Sequence, residues 1–184
     1  MTPGVVLSTP RLTLRPARWD DLDAMHAVLS DPRATRWWST PPHQTLDQTR
    51  AWLGAMIDSP PELAEDFVVE FEGRVVGKAG FYRLPEIGFI LHPDVQGRGL
   101  GLEAAQAVIA HVFATRDLDR LTAEADPDNT ASIALLTRLG FRETGRAERT
   151  MQVGDAWVDS VWFALSRADF SRAHGQQFRN EEQS

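Results

Sequence analysis

The stretch from Glu86 to Thr115 constrains the fold most, because its pattern changes twice over a short distance. Ile87-Gly88-Phe89-Ile90-Leu91 is an apolar run too short for a helix and rich in branched and aromatic residues, the pattern of a buried strand. A turn at His92-Pro93-Asp94-Val95 leads into Gln96-Gly97-Arg98-Gly99-Leu100-Gly101. From Leu100 to Thr115, Leu102, Ala105, Val108, Ile109 and Val112 then recur at helical spacing. Strand, glycine loop and helix in that order suit an anion such as a pyrophosphate. Glycine lets backbone approach a ligand, and the first helical turn offers unpaired N–H groups at the positive end of its dipole. The loop lacks the lysine of a Walker motif, and Leu102 stands where a dinucleotide fingerprint starting at Gly97 needs its third glycine. Neither of those nucleotide loops is present.

Upstream, Leu7 to Arg15 alternates Leu12 and Leu14 with polar neighbours, which predicts an amphipathic first strand. Trp19-Asp20-Asp21 starts a helix whose apolar face, Leu22, Met25, Val28 and Leu29, runs up to Ser30. Arg33 to His43 holds two tryptophans and two prolines and reads as a loop. Trp37 and Trp38 either line a substrate pocket, or one packs into the core beside the first helix while the other stays partly exposed. Thr45 and Gln48 have the spacing of a capping box ahead of a helix that Ser59-Pro60-Pro61 stops. Phe67–Phe71 and Arg74–Tyr82 flank the tight Glu72-Gly73 turn as a hairpin.

Downstream of the long helix, a strand is expected over Leu118 to Ala125 and a helix over Ser132 to Leu139, capped by Gly140, with Phe141 opening the next strand. Thr150–Val153 and Ala156–Leu165 form a closing hairpin around Gly154-Asp155. At 184 residues and 42% apolar content the chain fits one domain, expected over residues 1–170, with a polar tail over 171–184 expected to be disordered.

Two motifs together carry a resemblance. Gln96, Gly99 and Gly101 match Q/R-x-x-G-x-G/A, and Asn129-Thr130-Ala131-Ser132 followed by Leu139-Gly140-Phe141 matches N-x-x-S ahead of a helix ending in L-G-F. This resembles the GNAT N-acetyltransferase superfamily, and Leu102-Glu103-Ala104 looks like its RimJ/RimL-type branch, which modifies protein N-terminal amines. The resemblance implies an α/β (α+β) fold: a mixed, mostly antiparallel central sheet with a splayed parallel strand pair, flanked by helices.

It also implies roles. Pantetheine of acetyl-CoA would lie in the splay and pair with backbone at Phe89, Ile90 and Leu91. N–H groups of Gln96, Gly97, Arg98, Gly99, Leu100 and Gly101 would hold the pyrophosphate, and a backbone N–H near Leu91 would polarise the thioester. Arg98 either pairs with a phosphate or is solvated, and Asn129 either reaches the pantetheine arm or caps its helix, or both. An amine acceptor needs a base, for which Glu86 is the candidate unless it is a solvated carboxylate at a strand end; Glu148 and Asp159 are weaker ones. Many relatives place a tyrosine acid where this chain has Leu136, so Ser132 is the substitute, with a local helix cap as its other explanation. No cysteine is present for a covalent relay or a disulfide, so direct attack in a ternary complex is expected.

The formal net charge of −7 argues against nucleic acid and makes a cationic or amine-bearing acceptor easier to receive, although an acidic surface also simply aids solubility. The acceptor class is a peptide or protein N-terminal amine, or a small amine. The five histidines lack ligand spacing, so no metal is expected. No apolar run reaches the length of a membrane span and the N-terminus does not read as a signal peptide, so a cytoplasmic location is expected. A homodimer through the last strands is what the resemblance implies. The competing readings are a CoA-binding module without transfer activity, used in sensing or assembly, and a scaffold without a ligand.

Overall fold

Residues 4–173 are described by the structure, a computed structural model. Eight strands form one mixed sheet: β1 (Leu7–Ser8), β2 (Leu12–Arg15), β3 (Glu65–Phe71), β4 (Arg74–Arg83), β5 (Glu86–Leu91), β6 (Arg120–Ala125), β7 (Arg142–Val153) and β8 (Ala156–Ser166). Their spatial order is β1-β2-β3-β4-β5-β6-β8-β7, and every neighbouring pair is antiparallel except β5 with β6. Four helices cover it: α1 (Leu22–Leu29), α2 (Leu46–Ile57), α3 (Leu100–Thr115) and α4 (Thr130–Arg138).

Strand periodicity assigns the two faces. Leu121, Ala123, Val161, Phe163 and Leu165 share the cluster containing Val108, Ile109 and Leu136, so odd positions of β6 and β8 face α3 and α4. On β3 to β5 the face toward α1 and α2 carries Val68 and Ile90, which pack with Met25, Leu29, Leu53 and Met56. Residues at even positions of β5, β6 and β8 therefore look out on the α1/α2 side, where Glu86 lies.

Local chemistry sets the element ends. Thr45 Oγ1 accepts from the Gln48 N–H at 3.3 Å while Gln48 Oε1 accepts from the Thr45 N–H at 3.1 Å, the reciprocal box that starts α2. α1 is preceded by a single 3₁₀ turn, Trp19–Asp21. Its buried Asp21 receives a two-pronged bond from Arg15 of β2, with Nη2 to Oδ1 at 2.7 Å and Nη1 to Oδ2 at 2.9 Å; Arg15 Nε also reaches Glu70 of β3 at 2.8 Å. One guanidinium thus ties two strands to the start of α1. Removing a partner of a buried charge costs far more than the pair is worth, so Asp21→Ala should lower unfolding free energy by about 3 kcal/mol. Urea titration should place its midpoint well below wild type, while Asp20→Ala on the exposed neighbour should leave it unchanged.

Three elements differ from expectation. The first strand is two, because Pro10 cannot donate to a ladder and the chain turns at Thr9, whose N–H bonds Leu12 O at 2.9 Å. The strand expected to open at Phe141 and the hairpin arm expected at Thr150–Val153 are a single strand, β7, starting at Arg142; a bulge between Ala147 and Met151, with Arg149 at φ 53°, interrupts its register. Residues 167–173 are helical, so helix continues past Phe170 into the stretch expected to be disordered; the rest of that tail, 174–184, lies outside the described residues. No helix among the described residues is long and apolar enough to cross a membrane.

Candidate active site

The parallel pair at the sheet's centre barely touches. β5 and β6 are in register only at Glu86 opposite Thr122, with the Thr122 N–H donating to Pro85 O at 2.9 Å, and they part toward Leu91 and Ala125. On its other edge β5 is laddered to β4 from Gly88 to Leu91, with a bulge before the Arg83–Glu86 pair, and His92 N–H donates to Val76 O at 2.7 Å. Hydrogen-bonded pairs alternate along such a ladder, so Gly88 and Ile90 share that phase and spend their backbone groups on β4. Phe89 and Leu91 then direct theirs into the gap. A cleft lined by backbone donors and acceptors can take an extended chain bearing amides.

At the open end of this gap stands the glycine loop. A 3₁₀ turn, Pro93–Val95, ends at Gln96, whose N–H is engaged with Pro93 O at 3.1 Å and whose Nε2 donates to Leu91 O at 2.8 Å. Gln96 therefore pins the loop to the strand end, and the N–H groups from Gly97 onward are left as candidate donors. Gly97 and Gly99 hold φ of 73° and 77°, the left-handed region, and a Cβ at Gly97 would meet nothing within 4 Å. Gly99 is the N-cap of the 16-residue α3, so the first-turn N–H groups, including those of Leu100 and Gly101, have no intrahelical acceptor. At Gly101 the constraint is packing: a Cβ there would lie 3.3 Å from Leu135 Cδ1 of α4. The cradle is open, donor-lined and at a positive helix end, which fits a diphosphate.

Side chains brace the cradle rather than fill it. Arg98 lays its guanidinium over the Phe71 ring at 4.6 Å, and its carbonyl accepts from Arg11 Nη1 at 2.9 Å. Arg11 also binds Glu103 through Nε at 2.7 Å, and Glu103 Oε1 accepts from the Thr9 hydroxyl at 2.6 Å. Burial works against the Glu103 anion, yet the Thr9 and Arg11 bonds outweigh it and hold its carboxyl below the usual range. The strap from Thr9 to Arg11 thus offsets a negative charge close to the cradle.

Asn129 and Ser132 come together at the start of α4. Asn129 Oδ1 accepts from the Ser132 N–H at 3.2 Å and its Nδ2 donates to Ser132 Oγ at 2.9 Å, so the Asn129 side chain acts as a helix cap on both sides of its amide. Ser132 Oγ is an acceptor in that bond and keeps its own O–H. Leu136 is 1% exposed and belongs to the core, while Tyr82 lies exposed at the end of β4.

On the α1/α2 side, Trp38 packs against the α1/α2 core and its ring lies 5.7 Å from Lys78 Nζ; Trp37 is exposed, with Arg36 stacked on it at 4.7 Å. Lys78 is itself buried and bonds Asp66 at 2.9 Å. Glu86 is exposed at the first position of β5. Lost hydration first, and then the charge of Glu124, hold its carboxyl above the usual range. Asp159 accepts the Arg149 N–H at 2.9 Å and so closes the β7 bulge, and Glu148 is exposed on it.

Three features escape a linear reading: Glu124, the Arg11–Glu103 brace and the Gln96 pin. The local i to i+5 relation of Leu91 and Gln96 was the one signal available. No group of His, Asp and Glu side chains able to hold a metal ion occurs among the described residues.

A parted parallel pair meeting a glycine-lined helix N-terminus defines this fold as that of an acetyltransferase. The chain belongs to the GNAT family: the family described as "Acetyltransferase (GNAT) domain" matches residues 11–142. It is 30% identical over 174 residues to an uncharacterized N-acetyltransferase, p20, of Bacillus licheniformis, covering 90% of this chain and 98% of that one. It is 24% identical over 176 residues to the spermidine N(1)-acetyltransferase of Escherichia coli K12, covering 91% and 92%. Among solved structures, a RimL ribosomal L7/L12 α-N-protein acetyltransferase in complex with coenzyme A superposes with a TM-score of 0.78 at 21% identity, covering 88% of this chain and 98% of that one.

Proposed function

We propose that the chain transfers an acetyl group from acetyl-CoA to a primary amine by direct attack in a ternary complex. The observation that carries this reading is the single-pair register of β5 and β6 with the glycine loop at its open end. N–H groups from Gly97 to Gly101 would hold the diphosphate, and backbone groups of Phe89 and Leu91 the pantetheine amides. Ile90 would contribute through its place in the strand. That the similar RimL structure carries coenzyme A supports the assignment.

Bound acetyl-CoA supplies the activated acyl group; the chain's own residues handle the protons. An ammonium has no lone pair, so the acceptor must lose a proton before its nitrogen can bond the acyl carbon. Glu86 lies on the α1/α2 face of β5, the side from which an acceptor would enter, and is the proton acceptor in this reading. As the C–S bond breaks, the thiolate takes a proton, and Ser132 has one to give. An N–H near Leu91 would polarise the carbonyl. No cysteine exists to form an acyl-enzyme thioester.

The acceptor is an amine presented as a cation, either a peptide or protein N-terminus, as in a RimJ/RimL-type enzyme, or a small polyamine-like molecule. The acidic balance and the Glu86 carboxylate support this, and Trp37 and Trp38 would border the acceptor's entry. The sequence properties support a cytoplasmic location, and the exposed edge strand β7 is where a second copy would pair. A thiol-release assay tests the reading: release is expected from acetyl-CoA with peptides bearing a free N-terminus or with polyamines, and none with their N-acetylated forms. The second reading, a CoA-binding module, is favoured by Leu136 in place of a tyrosine acid. Tight CoA binding with no release across peptides, polyamines and aminoglycosides would establish it instead.

A further inference from the structure

The α1/α2 face of the sheet holds a group that the proposed chemistry leaves unused. Glu124 lies on β6 two residues beyond Thr122, the residue in register with Glu86, so both carboxylates project to the same face across the parting strands. Behind Glu124 runs a chain of hydroxyls. Ser160 of β8 is 1% exposed, and its Oγ donates to Glu124 Oε1. The Thr150 Oγ1 of β7 also contacts Ser160 Oγ, and the Thr150 hydroxyl donates to Val158 O at 3.2 Å. A serine this deeply buried needs an acceptor for its proton, and Glu124 is that acceptor.

We infer that Glu124 is a positioning residue for Glu86: the Ser160 hydroxyl holds the Glu124 carboxylate in place on the face it shares with Glu86, and the negative charge there makes Glu86 the stronger proton acceptor. This rests on Glu86 acting as the base. A carboxylate held on the same face disfavours a second negative charge at Glu86, so proton uptake there is favoured. The acceptor ammonium can then pass its proton to Glu86 without moving charge into bulk water. Other charges face this region. Arg83 lies opposite Glu86 on β4, Lys78 is tied to Asp66, and Arg120 lies on the same face of β6. It is nevertheless the Glu124 charge that adds to burial in holding the Glu86 proton.

The test is the titration of the Glu86 side-chain carboxyl by carbon-13 NMR in the full chain, together with the pH profile of kcat/KM. In Glu124→Gln the Glu86 midpoint is expected to fall toward the ordinary carboxylate range, and the acid limb of the profile to move with it. Ser160→Ala should move both the same way by a smaller step, which a merely structural role for Ser160 would not do. An unmoved midpoint and limb in a folded Glu124→Gln protein would overturn the inference. That result leaves the assignment of Glu86 as base intact, because loss of turnover in Glu86→Gln tests it separately.

Discussion

Gly99→Glu is expected to weaken acetyl-CoA binding by roughly 100-fold or more in calorimetry, about 3 kcal/mol. Two costs combine. At φ 77° any residue with a Cβ is strained by about 1–2 kcal/mol. The carboxylate adds a negative charge at the mouth of a cradle whose donors and helix dipole favour an anion. Arg11 Nη2 lies 3.5 Å from where the Cβ would stand, but it already serves Glu103 and cannot neutralise a second acid. Gly99→Ala separates the contributions, since it carries the strain without the charge and should lose only a few-fold to about 30-fold. If the two variants bind alike, the electrostatic part of the argument is wrong. If neither loses affinity, the diphosphate is held elsewhere.

Glu86→Gln should lower kcat by about 100-fold or more while acetyl-CoA affinity stays within a factor of about two, since the residue faces the acceptor side and a general base typically contributes that much. In the wild type the rate should rise with pH through the raised Glu86 pKa, and in the variant that limb should vanish. Stability carries the opposite sign. Burial and Glu124 raise the folded pKa of Glu86, so the stability linked to its protonation is complete below the unfolded carboxylate pKa and is lost as pH rises through the folded value. At neutral pH the glutamine has no charge to desolvate, so thermal scans should find Glu86→Gln no less stable than wild type. A variant that is catalytically intact, or markedly less stable, would remove Glu86 from this role.

Local chemistry was legible in the chain where one segment contains its own instructions. The capping box at Thr45 and the glycine at position 99 mark the starts of α2 and α3, and both helices run where the periodicity places them. β7 was less visible because it is an exposed edge with no buried stripe; Arg142 to Arg149 alternates in nothing that a hydrophobic pattern can register. The proximity of Glu124 to Glu86 was invisible for another reason. It depends on which strands are neighbours and on a one-residue register between them, and a slip of one place would have turned Glu124 to the opposite face. The tryptophan pair shows the same limit: sequence presents two equivalent rings, and only packing distinguishes the exposed Trp37 from Trp38 over Lys78.

The brace from Thr9 and Arg11 has a consequence for dissecting this protein. Both signature motifs fall between Glu86 and Phe141, which makes that stretch look like a portable nucleotide-gripping fragment. Yet Arg98 O and Glu103 are held by partners 87 and 92 positions earlier in the chain. An excised fragment would keep every residue of the loop and lose the clasp that shapes it, so ligand capture belongs to the assembled sheet and not to the motif.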